Sequence, residues 1–361
     1  YNGYYGVKTV AKKYPVYNGK EFQAFKHATI NTTYKDQYTP LEQAMIAAGK
    51  ETDWQDLMYD NAMLTNHDLS ITTGSATGAY TIGAGYYNET AVLPGQEYKR
   101  YSVRTAIDQE IGKFIKVGLS SQNAYSLTDG ESASIMNNIL TLSPLMPAYN
   151  DDGSVRIEPT EGHVDKYYNP LLLNNEDSWR ETRKRFSTFN SLYGEIKFTS
   201  WLKYRLNLGL SFYQENYGNF YGSVTPFKAG SESSASNENR HFISWTAEHL
   251  LYFDKVLAQK HRINATLMYS AEQSEYTKTN MGANNLSADY LFWYNLGLAD
   301  GTKTINAADQ VYSKKGLLSY MGRLMYSYDD RYSLTATYRR DGSSVLADGE
   351  KWHGYSAFSA G

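Results

Sequence analysis

The stretch that decides the fold runs from Trp201 to Tyr213, W-L-K-Y-R-L-N-L-G-L-S-F-Y. One parity reads Leu202, Tyr204, Leu206, Leu208, Leu210, Phe212. The other reads Lys203, Arg205, Asn207, Gly209, Ser211, Tyr213. A period of two puts these sets on opposite faces of a β-strand, whereas a helix would mix them around its surface. The run is longer than the usual soluble strand of about 5–6 residues. It fits a tilted membrane-spanning strand of roughly 9–11 residues. An apolar parity beside a parity with two cations suits a wall with lipid on one side and a wet lumen on the other. A one-residue slip would put Lys203 and Arg205 into hydrocarbon, at roughly 2–4 kcal/mol per cation near the midplane, so the register is firmly set.

The same pattern recurs along the chain. Tyr80, Ile82, Ala84 and Tyr86 alternate with Thr81, Gly83 and Gly85. Ile115, Val117 and Leu119 alternate with Lys116, Gly118 and Ser120. Tyr332, Leu334, Ala336 and Tyr338 alternate with Ser333, Thr335, Thr337 and Arg339. About twelve strands are predicted, near 1–10, 66–75, 79–88, 98–108, 114–125, 186–198, 201–214, 240–253, 260–275, 316–328, 331–340 and 354–361. The signal is weaker in 240–253, because His249 falls on the apolar parity of Ile243, Trp245, Ala247 and Leu251.

The connections carry a second signal. Short ones at 75–78, 109–113, 199–200, 255–259 and 329–330 alternate with long ones at 11–65, 89–97, 126–185, 215–239, 276–315 and 341–353. Tight turns at one end and large loops at the other are the sidedness of an outer-membrane barrel. All eight prolines fall in the long connections, as a hydrogen-bonded wall requires. Within the loops, Thr39-Pro40-Leu41-Glu42 through Gly49 reads as a capped helix. Residues 131–142 read as a second helix, and Ser231 to Asn237 as a mobile polar patch.

Composition agrees. The 361 residues include 34 Tyr, aromatics make 15%, and mean hydropathy is −0.57. No run approaches about 18 apolar residues, so no transmembrane helix is expected, and alternation hides a barrel from that test. Aromatic girdles would absorb the tyrosines. With no cysteine, a disulfide scaffold and a Cys-based metal or redox site are excluded. Net charge is −3, which does not recommend nucleic acid as a partner. No signal peptide is recognised, and the chain reads as an internal piece of a longer protein.

The motifs resemble a known family. Asp53-Trp54-Gln55-Asp56-Leu57-Met58 and Asn66-His67-Asp68-Leu69-Ser70-Ile71-Thr72-Thr73-Gly74-Ser75 resemble the start of the barrel in SusC/RagA transporters, which are TonB-dependent and sit in the outer membrane. Arg100 to Arg104, Lys116-Val117-Gly118 and Tyr168-Asn169-Pro170-Leu171 continue the likeness. The most specific piece is Tyr320-Met321-Gly322-Arg323 through Tyr332, followed by Arg339-Arg340-Asp341-Gly342-Ser343-Ser344 and Lys351-Trp352. The resemblance covers nearly the whole chain. It implies an all-β fold, an antiparallel transmembrane β-barrel of about 22 strands, of which this chain holds about the first 12. Residues 1–361 are then one part of a single barrel domain, without plug or TonB-contacting segment. It implies active import of oligosaccharides across the outer membrane of a Gram-negative bacterium, with a SusD-like surface lipoprotein as lid, TonB as motor and no cofactor. Oligopeptide import and a passive porin are the alternatives within that class.

The lumen is expected to be lined by Lys203, Arg205, Asn207, Lys116 and Arg323. The outer loops are the expected binding surface. Tyr149, Asp151, Tyr168, Trp179, Phe220, Tyr221, Tyr290 and Trp293, with Tyr167, Phe292 and Tyr294, offer aromatic faces and polar groups of the kind sugar rings stack on, or else pack the loops together. Arg180, Arg183, Lys184 and Arg185 read as a solvated rim.

Other chemistry is thin. None of seven histidines has metal-binding spacing. Asp151-Asp152-Gly153-Ser154 reads as a polar turn rather than a calcium loop. Of the glycosylation patterns at Asn31, Asn88 and Asn264, the last lies in a predicted strand. A barrel hydrolase would need a site such as His163 with Asp165 and the serines of 231–236, and a secreted soluble glycan-binding β protein is the remaining class. No enzyme motif is present.

Overall fold

The computed structural model describes residues 1–31, 35–131, 134–162 and 166–361. Its frame is one antiparallel sheet. In chain order come β1 (Asn2–Lys8), α1 (Gly19–Ala28), α2 (Pro40–Ala47), α3 (Trp54–Met58), β2 (Ala62–Gly74), β3 (Gly78–Thr90), β4 (Glu97–Ile111), β5 (Ile115–Asp129) and α4 (Ser134–Leu140). There follow β6 (Trp179–Lys197), β7 (Leu202–Tyr221), β8 (Ser234–Leu257), β9 (His261–Asn284), β10 (Lys303–Ile305), β11 (Val311–Tyr328), β12 (Tyr332–Ser343) and β13 (Trp352–Ala360). Each strand pairs with its sequence neighbour, except that β9 continues to β11 and the short β10 adds to the upper edge of β9. β1 and β13 are the two edges, so the sheet is open. All twelve predicted strands are present; β10 is an addition.

The registers sort every strand into the same two faces. Leu208 lies opposite Leu192 and Ala247, and Leu210 opposite Trp245, on the outer face. That face is apolar and open: Ile71, Ile82, Leu208, Leu210, Leu267 and Leu324 are all more than a third exposed. On the inner face Arg205 lies opposite Glu195, and Asn207 opposite Glu248. In water an exposed apolar face of this size would be a docking or aggregation surface; in hydrocarbon it is the stable arrangement. Among the described residues no helix is long and apolar enough to cross a membrane.

Polar groups on the outer face find partners within it. The Tyr204 hydroxyl and His249 Nδ1 are 2.7 Å apart, which accounts for the histidine that interrupts the apolar parity of β8. Four side chains of β5 and β6 close a ring. Ser121 donates to Asn190 (2.6 Å), Asn190 to Thr188 (2.8 Å), Thr188 to Asn123 (2.7 Å) and Asn123 back to Ser121 (2.9 Å). Each group makes a donor and an acceptor contact, so little unmet polarity faces lipid.

The turns at the short end are tight. Ala258–Gln259 and Asp329–Asp330 both have positive φ at their two central residues. Two left-handed residues make a hairpin turn whose twist matches the strands, which is worth a local strain at non-glycine positions.

At the other end the expected loop limits need correction. The connections are 130–178, 222–233 and 285–310, not 126–185, 215–239 and 276–315. β8 and β9 each run 24 residues, roughly 80 Å of chain, far more than a bilayer needs. Their upper halves stand clear of lipid. The outer parity there carries Asn237, Asn239, Thr277 and Thr279, so alternation lapses while backbone pairing continues. The polar patch at 231–237 is likewise ordered: Ser234 to Asn237 belong to β8, and Ser233 is buried. Asn88–Thr90 also lies in a strand, β3.

α2 forms with the expected capping box, Thr39 and Glu42 bonding each other's backbone N–H. α4, Ser134–Leu140, lies within the predicted 131–142 helix. α1 was not foreseen, although Asn18 and Glu21 form the same box.

Candidate functional site

The outer loops assemble a shelf on the upper end of β2–β6. α3, from the connection 9–61, packs against α4 and the 3-10 turn Pro170–Asn174, from the connection 130–178. Trp54, Met58, Ile135, Ile139, Leu173 and Trp179 form its core. The two indoles are satisfied by backbone: Trp54 Nε1 donates to the Ser143 carbonyl (3.0 Å) and Trp179 Nε1 to that of Leu173 (2.9 Å). Asn169 is fully buried, and its amide donates to the carbonyls of Ala148 (2.7 Å) and Arg156 (2.9 Å), zipping the long loop shut. Asp53 caps α3 by accepting from the N–H groups of Gln55 and Asp56 at 3.0 Å each, and from Lys13 at 2.9 Å. Partial burial works to raise the Asp53 carboxyl, but those contacts outweigh it and hold the group below its usual range; Lys13 is raised, first by its bond to the Asp56 carboxylate and then by that to Asp53.

A cavity of about 520 Å³ opens between this core and α1. Tyr17, Phe22, Phe25, Trp54 and Tyr167 supply its aromatic lining. Tyr17 and Phe25 stack at 5.4 Å and are both half exposed. Lys26, Glu42 and Glu51 add charge to the wall. These are committed groups: Lys26 bonds the Gln37 carbonyl and sits 4.4 Å from the Tyr38 ring centre, while Glu51 accepts from the Gly19 N–H at 2.7 Å. The cavity can accept a ring against its aromatics and hydrogen bonds at its rim. Of its aromatic lining only Tyr167 was among the aromatics singled out as binding candidates. The capping pattern Asn18-Gly19-Lys20-Glu21 was the signal that could have revealed α1, and with it Phe22 and Phe25.

The other expected binding residues divide sharply. Trp179, Phe220 and Trp293 are between 0 and 3% exposed, so their faces are spent on packing. Phe220, Ala235, Leu286 and Trp293 form a second small core, in which the connection 285–310 folds against the outer side of β7. Trp293 lies over Gly218, and its indole leaves no room there for a Cβ. Tyr221 packs on Phe227 at 4.9 Å and bonds Glu181. The physical reason is shared: a loop aromatic buries its apolar area wherever a groove is offered. Tyr149, Asp151, Tyr290 and Tyr294 are exposed, and Tyr168 is half-buried. They do not converge with one another on the cavity. Asp152 accepts from the Ser154 N–H and hydroxyl, making 151–154 a polar turn. His163 and Asp165 lie outside the described residues, as do Thr32 and Thr33 of the first glycosylation pattern. Among the described residues no cluster of His, Asp or Glu is arranged to hold a metal.

The inner face carries two polar belts. Near the short turns, Lys116 pairs with Asp108 (2.8 Å), the Tyr193 hydroxyl donates to Asp108 (2.5 Å), and the Arg205 guanidinium sits 3.9 Å from the Tyr193 ring centre. Lys203, Arg205, Asn207, Lys116 and Arg323 all share this face. Near the loops an ionic ladder crosses four strands. Arg183 bridges Glu131 (2.8 Å) and Glu215 (2.5 Å), Arg240 bridges Glu215 (3.4 Å) and Glu238 (2.5 Å), and Lys278 bridges Glu238 (3.0 Å) and Asp309 (2.8 Å). Arg183 and Arg185 are therefore inward-facing and paired, not a solvated rim. Glu131 and Asp309 belong to loops, so the ladder ties the roots of two large loops to the wall. Lys278 holds the Asp309 carboxyl below its usual range.

A long antiparallel wall with an open apolar face and a charged face defines a segment of a transmembrane β-barrel. The comparisons with known proteins agree. The chain aligns over its whole length with TonB-dependent receptor P3 of Formosa agariphila, at 24% identity over 370 residues and 35% of that protein. It is 27% identical over 314 residues to TonB-dependent receptor P26 of the same organism, covering 85% of this chain and 31% of the relative. Against TonB-dependent receptor SusC of Bacteroides thetaiotaomicron the identity is 21% over 394 residues, covering 100% of this chain and 36% of SusC. The chain thus spans about a third of the length of these relatives. Its fold superposes on a chain of the RagAB peptide transporter with a TM-score of 0.79 at 14% identity, covering 99% of this chain and 44% of that one. No family model matches. The chain is thus SusC/RagA-like: it is similar over its length to about a third of these TonB-dependent receptors and shares the barrel-wall fold of the RagAB chain.

Proposed function

We propose that this chain is part of the wall of an outer-membrane importer for oligosaccharides, driven through TonB and closed by a SusD-like surface lipoprotein. The observation that carries the reading is the likeness to SusC over the whole chain, on a wall whose faces are sorted for lipid and water. An open sheet leaves edge N–H and C=O groups unpaired, at several kcal/mol each in hydrocarbon. Residues 1–361 are then one part of a single barrel domain, and further strands and a plug from a longer protein complete it. The site in a Gram-negative outer membrane follows from the same reading. No bond is made or broken: the loop shelf captures cargo under the lid, and TonB pulls on the plug to open a path. The aromatic-lined cavity beside α1 supports a sugar cargo, because rings stack on exposed Tyr and Phe faces.

The second reading is peptide import, favoured by the fold shared with the RagAB peptide transporter. Uptake by the complete protein in liposomes, with lid and TonB supplied, separates the readings. Oligosaccharide should enter, and should cease to enter when the TonB-contacting segment is deleted. Undiminished entry would mean a passive porin, and entry of peptide alone would reject the sugar.

A further inference from the structure

The inner wall holds a groove that belongs to neither polar belt. It is about 430 Å³ and lies midway up β3–β7. Its floor is made of small residues in one cross-strand row and its neighbour: Gly83, Gly85, Ser102, Ala124 and Ser187. Three guanidiniums edge it, from Arg100, Arg104 and Arg185. Arg104 lies flat across Gly83, where a Cβ would meet its Nε at 2.7 Å and Cγ at 3.0 Å. Arg185 is stacked on Tyr213, 4.5 Å from the ring centre. Arg100 and Arg104 make no ion pair among the described residues, and Arg100 sits 5.7 Å from the Tyr87 ring centre. Arg185 is 3.9 Å from Glu215, which has closer partners in Arg183 and Arg240. One carboxylate, Asp68, shares the groove and is taken up by the Asn66 amide at 2.7 Å.

We propose that this groove is a subsite for a carboxylate-bearing sugar on an acidic oligosaccharide. The inference rests on the import reading above and narrows its cargo. Guanidinium forks match a carboxylate in geometry and charge, and two of these three have no anionic partner among the described residues. The occupant is a sugar acid rather than an acidic peptide for a reason of backbone chemistry. Every floor residue lies within the cross-strand ladder, so the floor has no free edge on which a peptide could add as a strand. Recognition falls to side chains. Ser102, Ser187 and Gln122 offer hydroxyl and amide groups to ring hydroxyls, and Tyr213 and Phe189 offer ring faces.

The test uses the complete transporter protein in detergent, with binding measured by calorimetry. The probes are an oligogalacturonate, a neutral maltooligosaccharide of equal length and a poly-glutamate peptide. The wild type should bind the oligogalacturonate in preference to the neutral sugar. Arg100→Gln with Arg104→Gln should weaken the acidic sugar about tenfold or more and leave the neutral sugar unchanged. Gly83→Ala keeps every charge but displaces Arg104, and should also weaken the acidic sugar. Equal binding of acidic and neutral sugars, unaffected by these variants, would overturn the subsite while leaving sugar import standing. Binding of the peptide alone would overturn the sugar reading and the subsite with it.

Discussion

The lower and upper halves of β7 are one strand in two environments. From Leu202 to Tyr213 the outer parity is apolar and the inner parity polar. From Gln214 to Tyr221 the outer parity reads Gln214, Asn216, Gly218 and Phe220. Asn216 there donates to Asn237 (2.8 Å) and Asn239 (2.9 Å), a ladder of amides where the lower half has leucines. Phe220 is buried, but by a loop and not by lipid. Backbone pairing is the same in both halves. What changes is the solvent. Hydrocarbon enforces strict alternation, and above it strands are held by side-chain ladders and by loops folded against them.

Four variants would break or sharpen this contrast in the complete protein. The largest effect is expected at Trp179→Ala, which empties the shelf core and should cost about 3–5 kcal/mol of local stability. Protease should then cut within 130–178 while the lower wall stays intact; equal loss of both storeys would contradict their independence. Next is Leu208→Arg, on the lipid face, at about 2–4 kcal/mol, against Asn216→Arg on the same parity higher up, at about 0–1 kcal/mol. Refolding into lipid vesicles under urea measures both, and similar penalties would dissolve the distinction. Glu215→Gln should cost about 1–3 kcal/mol, because it removes the buried anion that Arg183 and Arg240 share. Amide exchange should quicken in β6–β8 above residue 213 and not below it.

A fifth variant, at Asp53, tests the shelf through pH. Its folded carboxyl titrates below the ordinary aspartate range, so it stabilises the shelf fully above about pH 4 and loses that contribution as pH falls through the depressed value. Asp53→Ala should cost about 1 kcal/mol at neutral pH and flatten the acid limb of shelf unfolding followed by tryptophan fluorescence. An unchanged limb would remove Asp53 from the account.

These differences mark where the sequence was legible. The wall could be read because lipid forces each outer residue to be apolar, and Leu202 to Phe212 show it directly. The upper strands could not. Glu215 to Asn219 is polar on both parities, so a period-two reading stops there although the strand does not. The cavity was hidden for another reason. Trp54 and Tyr167 lie far apart in sequence and come together only at the cavity wall, and Phe22 and Phe25 depend on a helix whose only strong mark is the Asn18–Glu21 box. The burial of Trp179, Phe220 and Trp293 could not be read, because exposed and buried aromatics look alike in sequence until their packing partner is known.

The central claim is that lipid bathes one parity of these strands and water the other. The chain has no cysteine, so single cysteines can be placed at each position from 202 to 221 of the complete protein in vesicles and spin-labelled. Collision with oxygen, which concentrates in lipid, should peak at 204, 206, 208 and 210, and collision with a water-soluble nickel chelate at 203, 205, 207 and 209, with the alternation fading above 213. Equal access of the chelate to both parities between 202 and 213 would contradict the membrane wall and every proposal built on it.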